Sequence, residues 1–237
     1  MPTDELHRRY ERSLLLAFCV LWGWLAIAPL KRSDWLAENL LVIALLVVLV
    51  TVHRRFHFSR LSATLLFVFL CIHEVGAHYT YAKVPYNSWW QALTGGPSLD
   101  QLMGFQRNQF DRLVHFSYGL LLAYPLREVL LRVAPTTGFR GYFLAWSLIL
   151  ASSAIYEIIE WLGGAYIGGD TAKAFVGAQQ DPWDSQKDMA LATLAAFIAL
   201  LAAAGVNALR QRDGPWSGHH ASRPAHDEDN AARRPFR

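Results

Sequence analysis

The chain is poor in the features that mark a soluble enzyme or a secreted scaffold. Charged residues occupy only 17% of its 237 positions, which excludes a disordered chain and an ordinary soluble enzyme once the length of its apolar runs is considered. Only two cysteines occur, Cys19 and Cys71. Both fall inside apolar runs, where they read as small packing residues, and no disulfide is required. There is no G-x-S-x-G nucleophile elbow and no phosphate-cradling Walker A loop. Neither an internal repeat nor a nucleic-acid-binding fold is discernible, so no nucleic-acid partner is expected.

What the chain has in abundance is apolar sequence, 53% of residues. It is gathered into six runs of roughly 17 to 25 residues, the length needed to cross the hydrocarbon of a bilayer. These are Ser13 to Leu30, Leu36 to Val52, Leu61 to about Tyr79, Leu113 to Leu131, Tyr142 to about Gly163, and Met189 to Ala208. The first could pass for a secretory signal. Its full span length, Pro29 directly after Ala28, and the next run beginning a few residues later favour a retained helix. The expected fold class is therefore all-α, a polytopic membrane protein built as a compact six-transmembrane-helix bundle. Residues 1–12 form a cytoplasmic N-terminus, 13–209 the membrane domain, and 210–237 a disordered cytoplasmic tail, in which His219 and His220 are incidental.

The net charge of +3 conceals a separation along the chain. Arg8, Arg9 and Arg12, then Arg54, Arg55 and Arg60, then Arg127, Arg132 and Arg140, and finally Arg210 and Arg212 all fall on one side of a six-span arrangement. That side is cytoplasmic by the positive-inside rule, with both termini on it. Lys31, Arg32, Lys83, Arg107, Arg112, Lys173 and Lys187 on the other side blur the asymmetry without reversing it, and several of them have acidic residues nearby. Trp35, Trp89, Trp90, Trp161 and Trp183 are expected as anchors at the outer interface.

Acidic and histidine residues collect toward that outer side. In HEVGAH, residues 73 to 78, Glu74 and His78 are four apart and share a helical face, with His73 as an outer-shell candidate. The pattern is not H-E-x-x-H, which would need its second histidine one position earlier, so a zinc-protease reading fails. In RNQFDRLVH, Asp111 and His115 repeat the four-residue spacing. Glu157 and Glu160 in YEIIEW are three apart. In DPWDSQKDM, Asp184 and Asp188 face together, and Asp181 approaches from the loop. So many acids near hydrocarbon would repel one another or carry a large desolvation cost. A divalent cation offsets that cost, and mixed nitrogen and oxygen donors favour zinc, manganese or iron over calcium.

The preferred ligands are Glu74, His78, Asp111, His115, Glu157 and Asp188, with Glu160 and Asp184 as alternates. Arg107, Arg112, Asp181 and His73 are placed in an outer shell or in substrate binding, since a guanidinium can clamp a phosphate or carboxylate. The competing readings are buried ion pairs without metal, and protonated or solvated carboxylates lining a pathway. His53 and His57 lie on the opposite side, so a multi-histidine oxidase is disfavoured.

The segments HEVGAHYTY, RNQFDRLVHF, YEIIEW and QDPWDSQKDM, in that order and spacing, resemble the YjdF-like family of bacterial inner-membrane proteins. The resemblance covers roughly residues 10 to 210. It implies a multi-pass protein of the bacterial inner membrane and brings no reaction, cofactor or substrate with it. Three functions then compete. The first is a metal-dependent enzyme acting on a lipid or amphiphilic substrate from the bilayer. The second is a cation-binding transporter or sensor, for which a repeat would be expected. The third is a structural bundle.

Overall fold

A computed structural model describes residues 2–53, 56–134, 136–166 and 181–209. Arg54, Arg55, Gly168, Gly169, Lys173 and the whole of 210–237, including the expected tail, lie outside the described residues. The described chain is helical, with no strand among the described residues. Six long helices, α1 (Pro2–Leu25), α2 (Arg32–His53), α3 (Arg60–His78), α6 (Phe110–Val133), α7 (Gly138–Tyr166) and α8 (Asp184–Leu209), are joined by two short ones, α4 (Tyr86–Thr94) and α5 (Leu99–Met103).

Four of the long helices, α2, α3, α7 and α8, are long and apolar enough to cross a membrane. The other two are less apolar for a visible reason. α1 begins with Arg8, Arg9, Glu11 and Arg12, and α6 carries Asp111, Arg112, Arg127, Glu128 and Arg132. The composition thus establishes a helix-bundle membrane protein, and a full set of six spans is a finer statement than these four helices carry.

Packing in the bundle is inverted relative to a soluble protein. Ala77, Ala123, Ala145, Ala192, Ala195 and Ala196 are wholly buried, while Val20, Leu40, Ile158 and Leu201 point outward. In a bilayer, lipid tails solvate large aliphatic side chains as well as a core would, so helix association relies on close backbone approach at small residues. The main seam is α6 against α8. A β-carbon on Gly119 would overlap the Ala192 carbonyl, so only glycine permits this approach. α7 packs on the same pair through Ala145 and Ile149.

The other half of the bundle is α1, α2 and α3, joined around Phe18, Val42 and Leu70. α3 links the halves by packing along α6, with Phe69, Val84, Phe110 and Val114 between them. α2 is more lightly held than the rest, resting chiefly on α3.

Each end of the bundle has its own polar ties. At the end holding the start of α3, Glu128 of α6 accepts from the Ser59 backbone N–H at 2.8 Å, from Ser59 Oγ at 2.9 Å and from Ser62 Oγ. A carboxylate is favoured there because the helix N-terminus leaves its first N–H groups without intrahelical partners. Arg132 donates to the His57 carbonyl at 2.5 Å and to Glu128 at 2.8 Å.

The connection between the third and fourth apolar runs contains α4 and α5, because Ser98 and Gln101 form a capping box and Gly95 and Gly104 close the helices in left-handed conformation. Two expectations need correction. Trp35 is not an interfacial anchor but is buried against the bundle. Cys19 is exposed on the outer surface rather than packed inside.

Candidate functional site

Four of the polar residues expected from sequence, Asp111, His115, Glu157 and Asp188, sit at one end of three long helices, and their register comes from four-residue stripes. On α6 the stripe runs Asp111, His115, Gly119, Ala123. On α8 it runs Asp188, Ala192, Ala196, Leu200. On α7 it runs Ala145, Ile149, Ser153, Glu157. A four-residue step nearly closes one helical turn, so each stripe is one face. From His115 and Ala192 inward all these residues are buried, as are Glu157 and Asp188. The small members let the backbones approach, and that approach carries the polar ends together.

Donor atoms of Asp111, His115 and Asp188 all lie within 4.8 Å of one another. His115 Nε2 is 3.8 Å from Asp111 Oδ1 and 3.5 Å from Glu157 Oε1. Two ligands each about 2.1 Å from a tetrahedral zinc ion are separated by about 3.4 Å. The spacing therefore suits a shared cation. Asp188 Oδ1 and Glu157 Oε1 are buried without a hydrogen-bond partner among the described residues. Such orphaned acceptors are costly unless a cation or proton meets them.

The remaining expected ligands are placed differently. His78 directs Nδ1 to the Leu25 carbonyl at 2.7 Å and ties the end of α3 to the end of α1. Glu74 is fully buried against α2, with Asn39 and Trp35 as its polar neighbours. Neither belongs to the Asp111, His115 and Asp188 group. Glu160 lies one turn along α7 from Glu157, half-buried and within the fields of Asp111, Glu38 and Asp188.

Asp184 pairs with Arg107, and also with Arg112 at 3.5 Å. Asp181 pairs with Arg112 at 2.5 Å and Lys187 at 2.6 Å. The Lys187 hydrogen bond, with help from the Trp183 N–H and Arg112, lowers the Asp181 carboxyl to about 2. The arginines are thus engaged with rim carboxylates.

Glu38, Tyr81 and Tyr156 were missed by sequence reasoning. Glu38 Oε2 accepts from Tyr156 at 2.9 Å and from Tyr81 at 3.3 Å, and the Tyr81 oxygen is 3.0 Å from His73 Nδ1. Tyr81 reaches this position because Thr80 and Tyr81 adopt left-handed φ values of 57° and 49°, folding the chain back over α3. Its ring lies on Gly76, where any β-carbon would overlap it. An acidic residue inside an apolar span is the signal that could have found Glu38.

Beside these groups is a cavity of about 320 Å³ between α2, α3, α6 and α7. Leu41, Leu45, Phe69, Val114 and Ile159 make most of its wall apolar, while His73, Asp111, His115 and Tyr156 line its polar part. Leu41, Ile155 and Ile159 are also exposed on the outside of the bundle, so the cavity abuts the surface that lipid would cover.

Fold and polar centre together define a helical-bundle membrane protein with acidic and histidine side chains enclosed at one end. The chain belongs to the family described as "Predicted membrane protein (DUF2238)", whose pattern matches residues 10–208. It is 38% identical over 187 residues to "Inner membrane protein YjdF" of Escherichia coli (strain K12), covering 78% of this chain and 85% of that relative. No solved structure matches the chain.

Proposed function

We propose that this protein is a six-span bundle of the bacterial inner membrane, with both termini cytoplasmic, that acts as a metal-dependent enzyme on a lipid or amphiphilic substrate near the periplasmic face. The metal is zinc, manganese or iron, held by Asp111, His115, Asp188 and Glu157. When bound, it would supply an activated water or polarise a substrate oxygen. Glu160 stands nearby as a further carboxylate, and Asp184 and Asp181 hold Arg107 and Arg112 at the rim. Residues 210–237 form the cytoplasmic tail.

The observation that carries this reading is the meeting of three donor residues, two of which, Asp111 and His115, line the polar end of an apolar cavity. A purely structural ion network has no need of an adjoining cavity, and a hydrocarbon pocket alone has no need of orphaned carboxylates. The similarity to an inner-membrane relative and the basic side of the sequence support the location and orientation.

Metal analysis of the full chain in lipid nanodiscs tests the proposal. Near-stoichiometric zinc, manganese or iron is expected in the wild type, with loss in His115→Ala and Asp188→Ala. Trace metal in a folded wild type, after growth and dialysis with each of the three ions, would sink it.

A further inference from the structure

The cavity wall holds polar atoms that the metal reading does not use, and they specify what kind of head group the cavity accepts. Each phenol has a single hydrogen to give. Tyr81 and Tyr156 both direct theirs to one oxygen of Glu38, an arrangement a carboxylate accepts well. The Tyr81 oxygen lies 3.0 Å from His73 Nδ1, where either atom can be the donor. With Tyr81 donating to Glu38, Nδ1 is the donor of that pair, and this is the tautomer of His73 on which the inference is built. Its Nε2 carries a lone pair, is buried, and has no hydrogen-bond partner among the described residues. His73 lines the cavity, and so does Ser153, whose buried Oγ is likewise unpartnered among the described residues.

A buried acceptor left unmatched costs free energy that a ligand donor would recover. Both available atoms are uncharged, and most of the surrounding wall is hydrocarbon. A carboxylate or phosphate would face Asp111 and Glu38 while the nearby Arg107 and Arg112 are engaged by Asp184 and Asp181, and an ammonium head, though drawn by those same acids, would shed its hydration against hydrocarbon and could not accept the Ser153 hydroxyl hydrogen. A hydroxyl meets neither penalty. It can donate to His73 Nε2 and accept from Ser153.

We infer that the cavity binds a neutral, hydroxyl-bearing amphiphile, a long-chain alcohol or an alcohol-headed lipid, with its hydroxyl donating to His73 Nε2 and its chain against the apolar wall. This rests on the cavity being the substrate site of the proposed enzyme, but not on a metal being bound. His73 acts as a binding residue, and Tyr81 and Glu38 position it by fixing its tautomer.

The test uses the full chain in nanodiscs treated with chelator, so that failure of the metal reading leaves the result interpretable. A dodecanol carrying a diazirine on its chain is compared with the matching alkane, carboxylate and amine, and crosslinks are mapped to α3 and α7. The alcohol is expected to label most strongly. His73→Phe should reduce its labelling by about tenfold, equivalent to about 1.4 kcal/mol, while leaving alkane labelling unchanged. His73→Gln, which keeps an acceptor, should restore part of it. In ¹⁵N-histidine spectra of the wild type, Nε2 should appear as the unprotonated nitrogen, and Tyr81→Phe should shift it toward a mixture. Equal labelling by alkane and alcohol, stronger labelling by carboxylate or amine, or a protonated Nε2 in the wild type would each overturn the inference.

Discussion

Gly119 of α6 lies directly against the Ala192 carbonyl of α8, leaving no space for a β-carbon. Two helical turns from Gly119 on the same face is Asp111, one turn is His115, and one turn from Ala192 is Asp188. The contact between two small residues thus sets the distance between the donor groups, although neither residue has any chemistry of its own.

Gly119→Ala should therefore do two things at once. Overpacking a tight contact costs about 1–3 kcal/mol, read as a lowered unfolding midpoint in mild detergent. Metal retention should also fall, because α6 and α8 are wedged apart. Gly205→Ala, at a helical position with open space around it, should leave metal retention unchanged and should not lower the midpoint, since alanine is the better helix former.

Among the acidic and histidine residues, metal content should separate two groups. Asp111→Asn and Asp188→Asn are expected to lose at least tenfold in metal affinity, the range of about 10–100-fold seen even for groups that only support ligands. His78→Ala should retain metal, since its ring is occupied with the Leu25 carbonyl. Titration with zinc in the presence of a competing chelator distinguishes them.

Glu128 predicts a purely structural loss. Glu128→Ala removes an acceptor shared by the Ser59 N–H and the Ser59 and Ser62 hydroxyls, and leaving such donors unmet costs about 1–3 kcal/mol. Destabilisation in chemical unfolding should come with unchanged metal content.

The rim has a defined acid limit. The Asp181 carboxyl sits at about 2 in the folded protein, below its ordinary value of 3.8. A depressed carboxyl contributes stability that is complete above the unfolded value and disappears as pH falls through the folded one. Hydrogen exchange at the start of α8 should therefore be indifferent to Asp181→Asn protonation mimicry only below about pH 2. Between pH 5 and 8, where the ionised form dominates, the substitution should speed exchange by the same factor throughout.

Much of this was visible in the sequence because periodicity survives in a bilayer. Five of the six apolar runs match a long helix to within about five residues at either end, while the first helix begins eleven residues before its run, at Pro2, and the Asp111 and His115 spacing puts both on one helical face. What periodicity does not give is rotation about the helix axis. Glu74 and His78 share a spacing as good as that of Asp111 and His115, yet α3 turns one toward α2 and lends the other to α1. Tyr81 was beyond reach for another reason, since its position depends on two consecutive left-handed residues, which no apolar pattern encodes. Trp35 reads as an anchor by type and depth, but a neighbouring helix covers it.

The seam between α6 and α8 also has a consequence for biosynthesis. α8 is the last helix of the described chain to leave the ribosome, and it brings Asp188 with it. Until it joins them, Asp111, His115 and Glu157 lack the Asp188 carboxylate of their group, and Gly119 lacks its Ala192 contact. Assembly of the centre is thus deferred until α8 has joined the bundle, so a chain interrupted before α8 keeps most of its helices and none of the finished centre.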